Sequence, residues 1–147
     1  TKQKEVLECF EELISELLKS KKTKSWFRAY FNYGLMNFIQ GKPRLLPCEA
    51  GSSNFFVDPS GEIFPCNGLE DSLWNGSMGN LNTQNFDEIW NGERAQKVRE
   101  QVKNCPKNCW MIGTAAPVMK KYIKVPMKWV AKNKLKSLLG KKICLES

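Results

Sequence analysis

Four cysteines constrain this chain more than any other feature: Cys48, Cys66, Cys105 and Cys109. The first two bracket a stretch with hairpin character, from Cys48-Glu49-Ala50-Gly51 to Phe64-Pro65-Cys66. The second pair closes a tight loop, Cys105-Pro106-Lys107-Asn108-Cys109, behind a segment with helical periodicity. A fold that brings hairpin and loop together gathers four soft thiolates, a donor set that suits an iron–sulfur cluster. The 147 residues include no histidine, which removes the commonest general base and the imidazole ligands of mixed zinc sites. Any metal site must therefore rest mainly on thiolates.

The length allows one ordinary domain, or a small domain with appended helices. Hydrophobic residues make up 41%, with eight Phe and five Trp, so the chain should fold rather than stay disordered. No run approaches the roughly 20 apolar residues that span a bilayer. The N-terminus is polar and then amphipathic, without the apolar core of a signal peptide. These features point to a cytoplasmic protein. Charge is uneven: residues 1–100 carry a net −2, whereas residues 101–147 hold 11 Lys against one acid, Glu146. Such a block attracts anionic lipid, phosphate or an acidic surface, and it allows peripheral contact with a membrane.

Hydrophobic spacing predicts an amphipathic helix over 4–19, with Val6, Leu7, Phe10, Leu13, Ile14, Leu17 and Leu18 on one face. The lysine run 19–24 favours its end and supplies a linker. Ser25 is placed as N-cap of a second helix reaching Ile39, with Gly41 as C′ and Pro43 beyond. Its aromatic face, Trp26, Phe27, Tyr30, Phe31 and Phe38, is too rich to be left in water and needs a partner surface. Residues 53–66 read as a hairpin turning at Asp58-Pro59-Ser60-Gly61, and 67–84 mostly as loop. Asn85 and Glu88 form a capping box that opens a helix with Phe86, Ile89 and Trp90 inward. Asn91-Gly92 interrupts it, and a helix resumes from Glu93 to about Val102. Residues 127–139 predict a basic amphipathic helix, with Met127, Val130, Ala131, Leu135 and Leu138 on the apolar face and Gly140 as its stop. The fold class is α+β: mostly helical, with one short antiparallel hairpin and cysteine-bearing loops.

Three other readings of the cysteines compete with a cluster. Six cysteines could pair as disulfides, but the chain lacks a signal peptide and dense, regular spacing. Zinc knuckles use C-x2-4-C in both halves, whereas the first half here is C-x17-C. Zinc remains a credible occupant of recombinant protein. Unrelated buried thiols fit Cys9, beside Phe10 on the first helix, and Cys144 is read as a bystander. Gly51, Gly61, Pro65 and Pro106 preset the backbone near the other four and leave N–H groups free to bond to sulfide.

The segment Cys48-x-Ala50-Gly51, then Phe56-Val57-Asp58-Pro59-x-Gly61-x-Ile63-x-Pro65-Cys66, resembles the SPASM/twitch domain that follows the barrel of many radical S-adenosylmethionine enzymes. So do Gly79-Asn80-Leu81, Phe86-x-Glu88-Ile89-Trp90 and Cys105-x3-Cys109-Trp110. The resemblance covers about residues 45–115. It has too few cysteines after Cys66 for the full seven-cysteine, two-cluster pattern, so the one-cluster twitch type fits better. The resemblance implies one auxiliary [4Fe-4S] cluster on Cys48, Cys66 and Cys109, with Cys105 as the fourth ligand. Without Cys105, one iron would be open to substrate, solvent or another thiol.

The C-x3-C-x2-C motif that binds the catalytic cluster and S-adenosylmethionine in such enzymes is absent from these residues. The resemblance thus implies a piece of a larger enzyme, inactive alone, whose missing N-terminal barrel carries the S-adenosylmethionine and a second [4Fe-4S] cluster. Residues 1–44 are then late barrel helices or linker, 45–115 the cluster domain, and 116–147 a basic helical tail. An auxiliary cluster passes an electron or helps hold substrate; the substrate is not legible. The alternative is a zinc-stabilised binding module whose tail engages lipid, phosphate or nucleic acid. Nucleic acid is the weakest of these, because no recognisable module accompanies the charge. In the tail, lysines 120, 121, 124, 128, 132, 134, 136, 141 and 142 form a solvated face or an anion-binding one, with Trp129 as interfacial anchor. Asp58, Glu62, Glu70 and Asp71 are read as turn and surface acids without catalytic roles.

Overall fold

A computed structural model describes residues 2–67, 76–139 and 143. In chain order the elements are α1 (Lys2–Lys19), α2 (Thr23–Ile39), β1 (Phe56–Val57), β2 (Glu62–Phe64), β3 (Gly79–Asn80), α3 (Phe86–Asn91), α4 (Glu93–Lys103), α5 (Ile112–Lys121) and α6 (Lys124–Leu138). The fold is α+β and predominantly helical. It divides into two compact units: Thr1–Leu46 with Asn108–Ser147, and Pro47–Lys107.

In the helical unit, α1 buries Ile14 and Leu18, with Leu7, Phe10 and Leu17 partly covered. Val6 and Leu13 lie on the predicted apolar stripe but remain exposed. Cys9 is also exposed, not a buried thiol, because the buried stripe runs through Ile14 and Leu18 instead. Helix α2 begins at Thr23, two residues before the predicted cap at Ser25. Lys22 is its N-cap without a side-chain bond. A tight turn sets this start: Trp26 Nε1 donates to Ser20 O at 2.7 Å and Ser25 N to Lys22 O at 2.9 Å.

The aromatic face of α2 finds its cover within this unit. Tyr30 and Tyr33 are buried, and Trp26, Phe27 and Phe31 pack against the same core; Phe38 stays exposed. Trp129 of α6 stacks on Tyr33 at 4.9 Å and meets Tyr30 edge-on at 5.5 Å. Trp110 fills a slot beside Gly34, where an added Cβ would lie 2.2 Å from the indole. Its Nε1 donates to Phe31 O at 2.9 Å.

Helix α6 starts at Lys124, earlier than residue 127, and Pro126 sits in its first turn, where a missing N–H is tolerated. The predicted stripe needs correction. Pro126, Val130 and Asn133 are buried, whereas Met127, Leu135 and Leu138 are exposed. The seating of Trp129 against Tyr30 and Tyr33 sets that rotation. Lys134 reinforces it: its ammonium donates to Leu18 O at 2.8 Å and Ser20 O at 2.9 Å, and lies 4.7 Å from the Trp26 ring. A cation there satisfies carbonyls left open at the end of α1. Gly140, the predicted stop, lies outside the described residues, as do Glu70, Asp71, Lys141, Lys142 and Cys144.

In the other unit, β1 and β2 form the predicted hairpin, with Phe56 opposite Phe64 and Val57 opposite Ile63. Asp58 builds the turn: its Oδ1 accepts from Ser60 N, Ser60 Oγ and Glu62 N at 2.8–2.9 Å. The hairpin gains a third antiparallel strand, β3, within the stretch read as loop, in the order β1-β2-β3. Gly-Asn has little strand propensity of its own. The free edge of β2 recruits it: Met78 N donates to Ile63 O at 2.7 Å and Leu81 N to Gly61 O at 2.9 Å. Glu62 ties the same edge by accepting from Ser77 Oγ and, at 3.0 Å, from Asn80 Nδ2.

Those two donors, Ser77 first, hold the Glu62 carboxyl below its ordinary value of 4.5. A depressed carboxylate adds stability above its unfolded pKa, and the gain is lost as pH falls through the folded value. Glu62→Gln should therefore flatten the acid limb of stability below pH 4.5 while leaving the neutral plateau's shape unchanged. Urea titrations at stepped pH check this. An unchanged acid limb would remove the role assigned to the Ser77–Glu62–Asn80 network.

The capping box is present in full: Glu88 N donates to Asn85 Oδ1 and Asn85 N to Glu88 Oε2. Ile89 is buried and Trp90 half-buried, but Phe86 faces outward. Gly92 separates α3 from α4 as expected. The core of this unit is Ile63, Met78, Ile89, Ala95 and Val98.

Candidate metal centre

Cys48 enters a tight turn in which Ser52 N and Ser53 N both donate to Glu49 O, at 3.0 and 2.9 Å. Gly51 closes it, its N donating to Asn54 O at 2.8 Å. The Gly51 φ of 76° is strained for any L side chain, and an added Cβ would come within 3.0 Å of Pro65. Glycine thus lets the Cys48 turn lie directly on the residue preceding Cys66. Asn54 adds a second tie there, donating from Nδ2 to Pro65 O at 3.2 Å.

Arg99 joins this pair of loops to α4, the helix that precedes Cys105. Its Nε donates to Gly51 O and its Nη2 to Trp90 O, both at 2.7 Å, with the guanidinium 4.6 Å from the Trp90 ring. Helix α4 then ends at Lys103, and Cys105 N donates to Val102 O at 3.2 Å, so Cys105 leaves the helix in a defined direction. One guanidinium therefore links the Cys48 turn, the end of α3 and the helix before Cys105. Reading by motif misses Arg99. Its signal is a cation on the stripe of Ala95, Val98 and Val102, where an apolar residue would be expected.

Cys109 belongs to the helical unit. Its carbonyl accepts from Arg44 Nη1, while Arg44 Nη2 donates to Thr114 O at 3.2 Å and Nε to Leu46 O at 2.9 Å. The same guanidinium lies 5.0 Å from the Trp110 ring. Arg44 and the buried Trp110 thus hold the backbone of Cys109. Arg44 stands in a short irregular stretch without periodicity, so nothing local announces this role.

Cys48, Cys66, Cys105 and Cys109 are all half-buried, and none is in a disulfide. Among the described residues no three Cys, Asp or Glu side chains form a group able to hold a metal ion. What the structure shows is how each thiol-bearing segment is held: the Cys48 turn is tied to Pro65 and to α4, and the backbone of Cys109 to Arg44.

Residues 48–111 match the family model SPASM, an iron–sulfur cluster-binding domain. This segment is a SPASM domain. The match opens on Cys48 and takes in Cys66, Cys105 and Cys109. Comparison with curated proteins returned no match, and neither did comparison with solved structures. The donor chemistry of the SPASM segment fits an iron–sulfur cluster. Its candidates are four thiols of intermediate exposure without competing imidazoles.

The lysine-rich region outside the SPASM match is partly engaged within the fold. Lys134 is committed to the end of α1, while Lys120, Lys121, Lys124, Lys128 and Lys132 are exposed. Trp129 packs inward on Tyr33 and Tyr30, which withdraws it from the role of surface anchor. Among the described residues no helix is long and apolar enough to cross a membrane.

Proposed function

We propose that this chain is the auxiliary-cluster portion of a radical S-adenosylmethionine enzyme. The observation that carries the reading is the SPASM match over residues 48–111, which contains all four candidate thiols. Cys48, Cys66, Cys105 and Cys109 are the residues that would hold one [4Fe-4S] cluster. When bound, such a group supplies one-electron chemistry at a potential set by burial and by hydrogen bonds to its sulfurs. The chain's own part is to orient the thiols. Gly51 and Asn54 bring the Cys48 turn against Pro65, Arg99 ties that turn to α4, and Arg44 with Trp110 fixes the backbone at Cys109. The partner in this reading is a barrel bearing C-x3-C-x2-C in the same full-length protein. The cluster there serves electron transfer or substrate positioning.

Anaerobic reconstitution with iron and sulfide tests the proposal. Broad absorption near 400 nm with about four iron and four sulfide per chain is expected, and Cys66→Ala should lose most of both. Stoichiometric zinc with no reconstitutable iron would instead make the chain a zinc-stabilised binding module.

A further inference from the structure

Helices α2 and α5 of the helical unit frame a groove of about 310 Å³, at the lower end of ligand-pocket volumes. Its walls are Phe27 and Phe31 from α2 and Ile112, Ala116 and Met119 from α5. Lys24, Arg28 and Lys120 complete the lining. No acid is among these residues, and none of the three cations forms an ion pair among the described residues. Lys24 and Arg28 are four residues apart on one helix, a like-charge pair whose repulsion a bound anion would relieve. Ile112, at the groove, is 62% exposed. Apolar walls flanked by three unpaired cations are complementary to a molecule with an apolar body and one anionic end.

We propose that this groove binds a single-chain anionic amphiphile, an acyl-chain carboxylate. Its chain lies along Phe27, Phe31 and Ala116, and its head between the Lys24–Arg28 pair and Lys120. A concave pocket of this size suits one chain better than a bilayer surface or a helix laid across it. The proposal stands apart from the metal-centre reading, since no candidate thiol lines the groove.

Calorimetric titration of the 147-residue chain with decanoate, kept below its micellar range, tests it. Saturable one-to-one binding is expected. Decanol, which keeps the chain and lacks the charge, should bind at least about tenfold more weakly, as should the Lys24→Glu/Lys120→Glu variant. Ala116→Trp, checked for folding by circular dichroism, should abolish binding by filling the groove. The charge variant, at exposed positions, keeps the test decisive if Ala116→Trp misfolds. Decanol binding as tightly as decanoate, or full binding by either variant, overturns the proposal. So does binding confined to anionic phospholipid vesicles or to an acidic amphipathic peptide.

Discussion

Gly34→Ala is expected to destabilise the helical unit by about 3 kcal/mol, the reverse of what its place within a helix implies. Alanine in a helix interior ordinarily gains about 1 kcal/mol over glycine. Here the new methyl would stand 2.2 Å from Trp110 Nε1 and Cε2, well inside contact distance. The indole cannot retreat cheaply. It is 1% exposed, donates to Phe31 O, and lies under the Arg44 guanidinium. Moving it out forfeits the burial of a large aromatic, for which truncation typically costs 3–5 kcal/mol, and overpacking it costs 1–3 kcal/mol. Either exceeds the propensity gain. Urea unfolding followed by tryptophan fluorescence measures the shift. Gly113→Ala is the control: an added Cβ there meets nothing within 4 Å, so its effect should be neutral or stabilising by up to about 1 kcal/mol. If the two variants behave alike, Trp110 is not locked in that slot.

Arg99→Ala is expected to cost about 2–3 kcal/mol and to loosen the cluster the chain is proposed to hold. Two charge-assisted bonds at 2.7 Å disappear together with the contact over Trp90, and the Gly51 and Trp90 carbonyls lose a partner. The Cys48 turn then loses its tie to the helix before Cys105. Iron release to a chelator should accelerate about tenfold or more, and the cluster's reduction potential should shift. Arg99→Lys retains the charge and one donor direction but lacks the planar fork, so it should recover only part of the loss. Equal release rates in wild type and Arg99→Ala, measured at matched folded fraction, would show that Arg99 stabilises the unit without positioning the thiol loops.

Much of the chain was legible because its signals are local. The capping box at Asn85 and Glu88, the Asp58–Gly61 turn and the break at Gly92 each depend on residues within four positions of one another. The cysteine spacing with its flanking glycines reaches further along the chain but is carried by residue identity alone, and it led to the SPASM resemblance that the family match bears out. What went astray was long-range. Strand β3 exists because β2 offers an open edge, not because Gly79 and Asn80 favour extension. The buried face of α6 is turned by Trp129 and Lys134 meeting residues about a hundred positions away. The predicted stripe of Met127, Leu135 and Leu138 carried no information about those partners. The aromatic face of α2 showed a need for cover, but periodicity cannot say whether that cover comes from the same chain.

Residue types and short spacings therefore determined the donor chemistry and the α+β class. Four candidate thiols without histidine set the donor types on offer, and cap, turn and stripe act over one or two turns of backbone. Tertiary structure alone decided which groups hold the thiol-bearing segments. Arg99 and Arg44 act through carbonyls 48 and 65 residues away in the chain. Every residue has a backbone carbonyl, so such acceptors leave no mark in a sequence until the fold brings a guanidinium to them.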